Sequence, residues 1–312
     1  VQTEELIAGV LAGERRAVAR AISLVEDGDL GLEGLSAGIY ASTGRAATIG
    51  LTGAPGVGKS TLAGELVRAA RSHDLRVAVL AVDPSSPYTG GALLGDRVRM
   101  QEHATDPDVF IRSMATRGHL GGMALAAPEA VRILDAAGYT RVIVETVGVG
   151  QAEVDVAAAT DTAVVVLAPG IGDAVQMAKA GILEIADIFV VNKADRDGAS
   201  DVVRELHQML RLGGEREWDP PILETSALHR DGVADLWAAI EAHRTYLAAS
   251  GALEAKRHAR LLREVEALAA ERFRVNAAAT LAGQPELATD LAARRLDPYA
   301  VAAMLVSKAA GS

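Results

Sequence analysis

The stretch that most constrains this 312-residue chain is Gly53-Ala54-Pro55-Gly56-Val57-Gly58-Lys59-Ser60, followed by Thr61. It fits G-x-x-x-x-G-K-[ST], and its setting strengthens the match: an apolar run at 47–52 leads in and a helical stretch at 60–72 leads out. Glycines at 53, 56 and 58 permit positive φ and let main-chain N–H groups approach phosphate oxygens. The start of the following helix adds its dipole. In such a loop Lys59 reaches the β- and γ-phosphates and the Ser60 hydroxyl ligates Mg²⁺.

The surrounding rhythm predicts the sheet that this loop needs. Short apolar runs at 47–52, 76–82, 109–112, 141–145, 162–168, 187–191 and 221–224 alternate with helical stretches such as 60–72, 129–137 and 201–212. Continuous apolar strands separated by helices predict an α/β fold, a mostly parallel sheet with helices on both faces. The first forty residues are helical in pattern. Leu6, Ile7, Val10 and Leu11 recur at helical spacing behind Thr3 as N-cap, and Val18, Ile22 and Val25 share a face of a second helix that Gly28 ends. Residues 41–45 read as a loop. After Tyr246 the strands stop, and 250–274, 285–295 and a stretch opened by Asp297-Pro298 are helical. We divide the chain into an N-terminal helical extension (1–45), a nucleotide-binding domain (46–246) and a C-terminal helical arm (247–312). The arm either packs on its own domain or makes a dimer contact.

A Mg²⁺–triphosphate needs acids at neighbouring strand ends. Asp83 closes the run at 77–82 and Glu145 closes the run at 141–144, so both face the crevice outside the strand carboxyl ends. Alone, either acid would read as a helix cap or a solvated loop acid. Asp96 is a third candidate. The run at 187–191 ends in Asn192-Lys193-Ala194-Asp195. A carboxylate at Asp195 accepts from guanine N1–H and the 2-amino group, whereas adenine would leave it unpaired. Lys193 lays its stem along the purine, and Asn192 ties this loop to the phosphate loop. A further strand ends in Thr225-Ser226-Ala227-Leu228, where the backbone of Ser226, Ala227 and Leu228 reaches guanine O6. The nucleotide is read as GTP or GDP.

Composition removes several classes. With 31 basic against 41 acidic residues the formal charge is −10, which disfavours non-specific binding to nucleic acid or anionic membrane. There is no cysteine, hence no disulfide, thiolate nucleophile or zinc ribbon. No run approaches a membrane span, and the opening Val1-Gln2-Thr3-Glu4-Glu5 is acidic, so a cytoplasmic location is expected. The seven histidines show no metal-ligand spacing.

Together these motifs resemble a GTPase of the SIMIBI class of P-loop NTPases, within the metal- and cobalamin-chaperone family. The usual D-x-x-G appears as Glu145-Thr146-Val147-Gly148, and the Asp-to-Glu change is that family's mark. Three longer stretches, 15–26, 83–100 and 145–151, look like the MeaB/ArgK/MMAA subfamily. The resemblance implies a homodimeric GTP-hydrolysing chaperone that gates adenosylcobalamin delivery to methylmalonyl-CoA mutase or a close relative, and protects or reactivates it. The mutase's adenosyltransferase is a further implied partner. The resemblance also implies that Ser60, Asp83, Asp96 and Glu145 surround Mg²⁺, and that Lys59 and Glu145 are catalytic. Gln151 is a candidate for positioning water, although it stands three residues after Gly148. Lys179 reads either as part of a segment that senses the partner or as a solvated helix lysine.

Two other readings compete. A nickel-delivery GTPase shares the nucleotide domain but relies on Cys or His metal sites, and this chain has no cysteine. A small-molecule kinase, such as one acting on an amino-acid transport protein, needs a base near the γ-phosphate, and only the metal-shell acids are candidates.

Overall fold

The computed structural model describes residues 2–29, 31–83, 101–103, 105–115, 123–146, 152–171, 182–212, 214 and 216–310. Seven strands form one sheet: β1 Ala47–Thr52, β2 Val77–Asp83, β3 Val109–Ala115, β4 Arg141–Thr146, β5 Thr162–Leu167, β6 Ile188–Asn192 and β7 Ile222–Thr225. Their order is β3-β2-β4-β1-β5-β6-β7, and every pairing is parallel. The expected fold class is therefore observed, with β1 at its expected limits and the ends of the other strands shifted by at most three residues. Central β1 pairs with β4 on one side and β5 on the other. The topological switch lies at its carboxyl end, where parallel sheets open a crevice.

Helices cover both faces. In chain order they are α1 Gln2–Leu11, α2 Arg15–Asp27, α3 Leu32–Ile39, α4 Lys59–Arg71, α5 Met123–Ala136, α6 Ala152–Ala159, α7 Ile182–Ile185, α8 Ala199–Leu212, α9 Val233–Ser250, α10 Ala252–Gly283, α11 Pro285–Ala292 and α12 Pro298–Ala310. One core joins α4 and α9 to Ile49, Leu51, Ile143, Val164 and Val190. The opposite core joins α1, α2, α3 and α5 to Leu80, Val82, Val142 and Val144. The N-terminal helices thus share the sheet's own core. Arg112 on β3 binds Glu26, Ser23 and the Ala19 carbonyl, and Arg15 donates to the Val109 carbonyl at 2.6 Å.

Several local expectations are corrected. Thr3 lies inside α1, which starts at Gln2, so it is not the N-cap. The helix expected at 129–137 begins at Met123 and carries Pro128 within it. Ala126, Ala127, Ala130, Ile133 and Leu134 are buried against the sheet, and this packing offsets the hydrogen bond that the proline cannot donate. Helix α3 lies within the forty residues expected to be helical. Its Leu35 and Ile39 are buried, and a Cβ on Gly38 would overlap the Ile7 side chain, so this glycine serves close packing. Gly28 does end α2, with φ 63°. Asp297 caps α12, accepting from the Tyr299 and Ala300 amides at 2.9 and 3.1 Å.

The chain falls into two compact units, Val1–Arg260 and Leu261–Ser312. Among the described residues no helix is long and apolar enough to cross a membrane.

Candidate functional site

Residues 53–58 form the loop between β1 and α4. Two glycines are required there by close approach. Gly53 has φ 137° and a Cβ would overlap the Val166 carbonyl; Gly58 has φ 101° and a Cβ would overlap the Asn192 amide. Any side chain would push the loop off the strands that support it. Gly56 also has positive φ, but a Cβ there would make only an ordinary contact with Ile171, at 3.9 Å. Pro55 and Gly56 are exposed, Ala54 is half-buried, and Val57 is buried in the core beneath α4.

Lys59 opens α4 and turns back over the loop, donating to the Gly53 and Ala54 carbonyls at 2.5 and 3.2 Å. The helix's first amides and its dipole face the same side. Next in the chain, Ser60 donates to Glu145 Oε1 at 2.6 Å. Both are buried. The two sequence motifs 85 residues apart thus meet at one point. Thr61, one residue on, is half-buried on α4.

The second half of the site is fastened to the first. Asn192, at the end of β6, donates to the Val57 carbonyl at 2.8 Å. Its carbonyl accepts from the Thr225 hydroxyl and the Ala227 amide, both at 3.1 Å. Lys193 takes left-handed backbone (φ 60°) and donates to the Gly56 carbonyl at 2.6 Å. Asp195 is exposed and accepts from the Ser226 hydroxyl at 2.6 Å. That hydrogen bond holds its carboxyl below the usual carboxylate range. Ala227 is buried and Leu228 is exposed. Sequence reasoning missed the hydroxyl roles of Thr225 and Ser226; the signal was their place at the carboxyl end of β7, where Thr225 is the register partner of Asn192 and Ser226 follows it.

Asp83 ends β2, one strand over from Glu145, and its side chain lies outside the described residues. Asp96, Gln151 and Lys179, and the segments 84–99 and 147–151, lie outside them too. The fold family implies Mg²⁺. A hydroxyl and a carboxylate oxygen 2.6 Å apart are hard-oxygen donors of the kind Mg²⁺ takes, and they fit it. Among the described residues no group of three or more His, Cys, Asp or Glu could hold a metal by itself.

Comparison with known proteins agrees with this geometry. Residues 18–281 match the family described as methylmalonyl Co-A mutase-associated GTPase MeaB. A protein of Pyrococcus horikoshii described as a candidate GTPase is 48% identical over 312 residues, covering 99% of this chain and 98% of that protein. The mitochondrial methylmalonic aciduria type A homolog of Mus musculus is 36% identical over 273 residues, covering 81% of this chain and 66% of that protein. Among solved structures, one described as LAO/AO transport system kinase superposes with TM-score 0.70 at 28% identity, covering 98% of this chain and 96% of that one. The chain is a P-loop GTPase, and it belongs to the methylmalonyl Co-A mutase-associated GTPase family MeaB.

Proposed function

We propose that this GTPase is a Mg²⁺-dependent switch that gates adenosylcobalamin delivery to a cobalamin-dependent acyl-CoA mutase, methylmalonyl-CoA mutase or a close relative. The observation that carries the reading is the Ser60–Glu145 pair at 2.6 Å beside the phosphate loop. It joins the loop that holds phosphate to the strand leading into the Glu145-Thr146-Val147-Gly148 motif. The family's description supports the choice of client.

In this reading the amides of residues 53–61 cradle the phosphates, and Lys59 exchanges the Gly53 and Ala54 carbonyls for the β- and γ-phosphates. Bound Mg²⁺ supplies neutralising charge for the triphosphate, and Ser60, Asp83, Asp96 and Glu145 are its proposed holders. Asp195 accepts from guanine N1–H and the 2-amino group, while Ser226, Ala227 and Leu228 line the O6 side. Lys193 covers the base with its stem. Gln151 is the proposed water-positioning residue. The 247–312 arm is proposed to make the homodimer; on its second unit Leu262, Val265, Tyr299, Met304 and Val306 are exposed.

The test is phosphate release from GTP with and without a cobalamin-dependent mutase from the same cell, together with pull-down by GTP- and GDP-loaded protein. Acceleration by roughly tenfold or more and a nucleotide-dependent complex are expected. Neither appearing with any such mutase overturns the client. Phosphate appearing instead on arginine or another acceptor would favour the kinase reading, which the name of the similar solved structure keeps in view.

A further inference from the structure

The ends of β1 and β4 carry a second pair of polar side chains that the site above does not use. Side chains alternate between sheet faces along a strand. Ile49, Leu51 and Ile143 belong to the face under α4 and α9. Val142 and Val144 belong to the opposite face, with Val156 of α6. A Cβ on Gly50 would meet Val156 and Thr160, which puts that side of β1 beneath the same helix. Thr52 and Thr146 continue this second face. Leu51 is the register partner of Glu145, so the two threonines take the next position on adjacent strands. One directly precedes Gly53; the other directly follows Glu145.

Both threonines are fully buried, and neither hydroxyl has a hydrogen-bond partner among the described residues. Valine has nearly the same shape and would avoid the cost of burying an unpaired hydroxyl. Two such hydroxyls side by side offer what an isolated one lacks: a polar corner where a single water can bond twice within an otherwise apolar face.

We propose that the Thr52 and Thr146 hydroxyls share one internal water and act as a positioning pair for GTP hydrolysis. The bridge holds the carboxyl ends of β1 and β4 together. Glu145 projects from the other face of the same strand end, and Ser60 hangs from the loop that β1 feeds. A slip between the two ends would therefore separate Ser60 from Glu145 while leaving most of the phosphate loop intact. The inference rests on reading that pair as the metal holders.

The test uses the full chain with Thr52→Val, Thr146→Val, the double Val variant, each Thr→Ser variant and Glu145→Gln. GTP turnover, KM, GDP affinity and melting temperature are measured for each. Each Val variant should lower kcat by about tenfold with KM and GDP affinity held, because only the hydrolytic alignment is disturbed. Serine should restore it. The double Val variant should be no slower than the singles, since one shared water is lost only once. Val variants that melt higher and turn over at the wild-type rate, or effects that multiply in the double variant, overturn the proposal. So does crystal density of the unaltered protein with no water bonded to both hydroxyls, a reading that needs no variant to fold. Glu145→Gln separates the two levels: wild-type turnover there sinks the metal-pair reading, whereas impaired turnover with unaffected Val variants sinks the water bridge alone.

Discussion

The Asn192 side chain donates to the Val57 carbonyl at 2.8 Å and so fastens the end of β6 to the phosphate loop. It also accepts from Thr225 and Ala227, which makes one buried amide the junction of three segments. A Cβ on Gly58 would strike this amide, so the glycine and the asparagine require each other. Asn192→Ala strands three polar groups. We expect a loss of about 1–3 kcal/mol in denaturant stability and roughly tenfold weaker binding of GTP and GDP alike. A variant that binds both nucleotides normally would show that the junction is not needed for the site.

In the proposed site Asp195 reads the base alone. Its carboxyl is held low by the Ser226 hydroxyl and is ionised throughout the neutral range, ready to accept two hydrogen bonds. Asp195→Asn replaces one acceptor with a donor. GTP affinity should fall roughly 10- to 100-fold, and xanthosine triphosphate, which has a carbonyl in place of the 2-amino group, should gain. The check is competition binding with GTP, XTP and ATP. Unaltered protein that takes ATP as tightly as GTP would remove Asp195 from base selection.

The strands and both loops of the site were legible because their signals are local. An apolar run bounded by Gly53 or by Asn192-Lys193 marks a buried parallel strand wherever it sits. What escaped was non-local or overridden by packing. Pro128 reads as a helix boundary, yet the buried face around Ala127 and Ile133 carries α5 through it. Within the forty residues read as helical, Gly34 and Gly38 blur the limits of the separate helix at 32–39, and the contact that needs Gly38 small, Ile7, lies on another helix. The Asp161 ion pairs have partners 96 and 99 residues away, and no spacing rule reaches that far.

His243 supplies a pH leg. It is buried on α9, with Nδ1 2.9 Å from the Thr162 hydroxyl and its ring beside Trp218 and Tyr246. Burial pushes its pKa down. Asp187, 3.5 Å away, and Asp161 oppose that shift, while Lys256 adds to it. The folded chain thus prefers neutral His243, and the unfolded chain takes the proton first. Stability is complete above the unfolded value, about 6.5, and is lost as pH falls from there toward the lower folded value. His243→Gln should flatten the dependence of denaturant midpoint on pH between about 5 and 7. Parallel curves for the two proteins would show that another group sets the slope.

Asp161 ties the first turns of α10 to the sheet. It accepts from Arg257 at 2.6 and 3.2 Å, from Arg260 at 2.7 Å and from the Thr48 amide at 3.1 Å. Arg257 also donates to the Gly44 and Ala46 carbonyls, so the same guanidinium grips the chain entering β1. Burial, the largest influence, opposes the Asp161 charge, but Arg257 and Arg260 together outweigh it and hold the pKa below its ordinary value. The carboxyl's contribution is therefore complete above its unfolded pKa, about 3.9, and is lost as pH falls through the lower folded value. Asp161→Asn leaves two partly buried guanidiniums without their counter-charge, a change that costs about 3 kcal/mol. Screening by salt reaches such a pair weakly, so the loss should persist in high salt. Arg257→Met in the Asp161→Asn background should cost much less than Arg257→Met alone, because the pair has already been broken. Equal costs in the two backgrounds, measured by urea denaturation, would show that Arg257 is held by the Gly44 and Ala46 carbonyls rather than by Asp161.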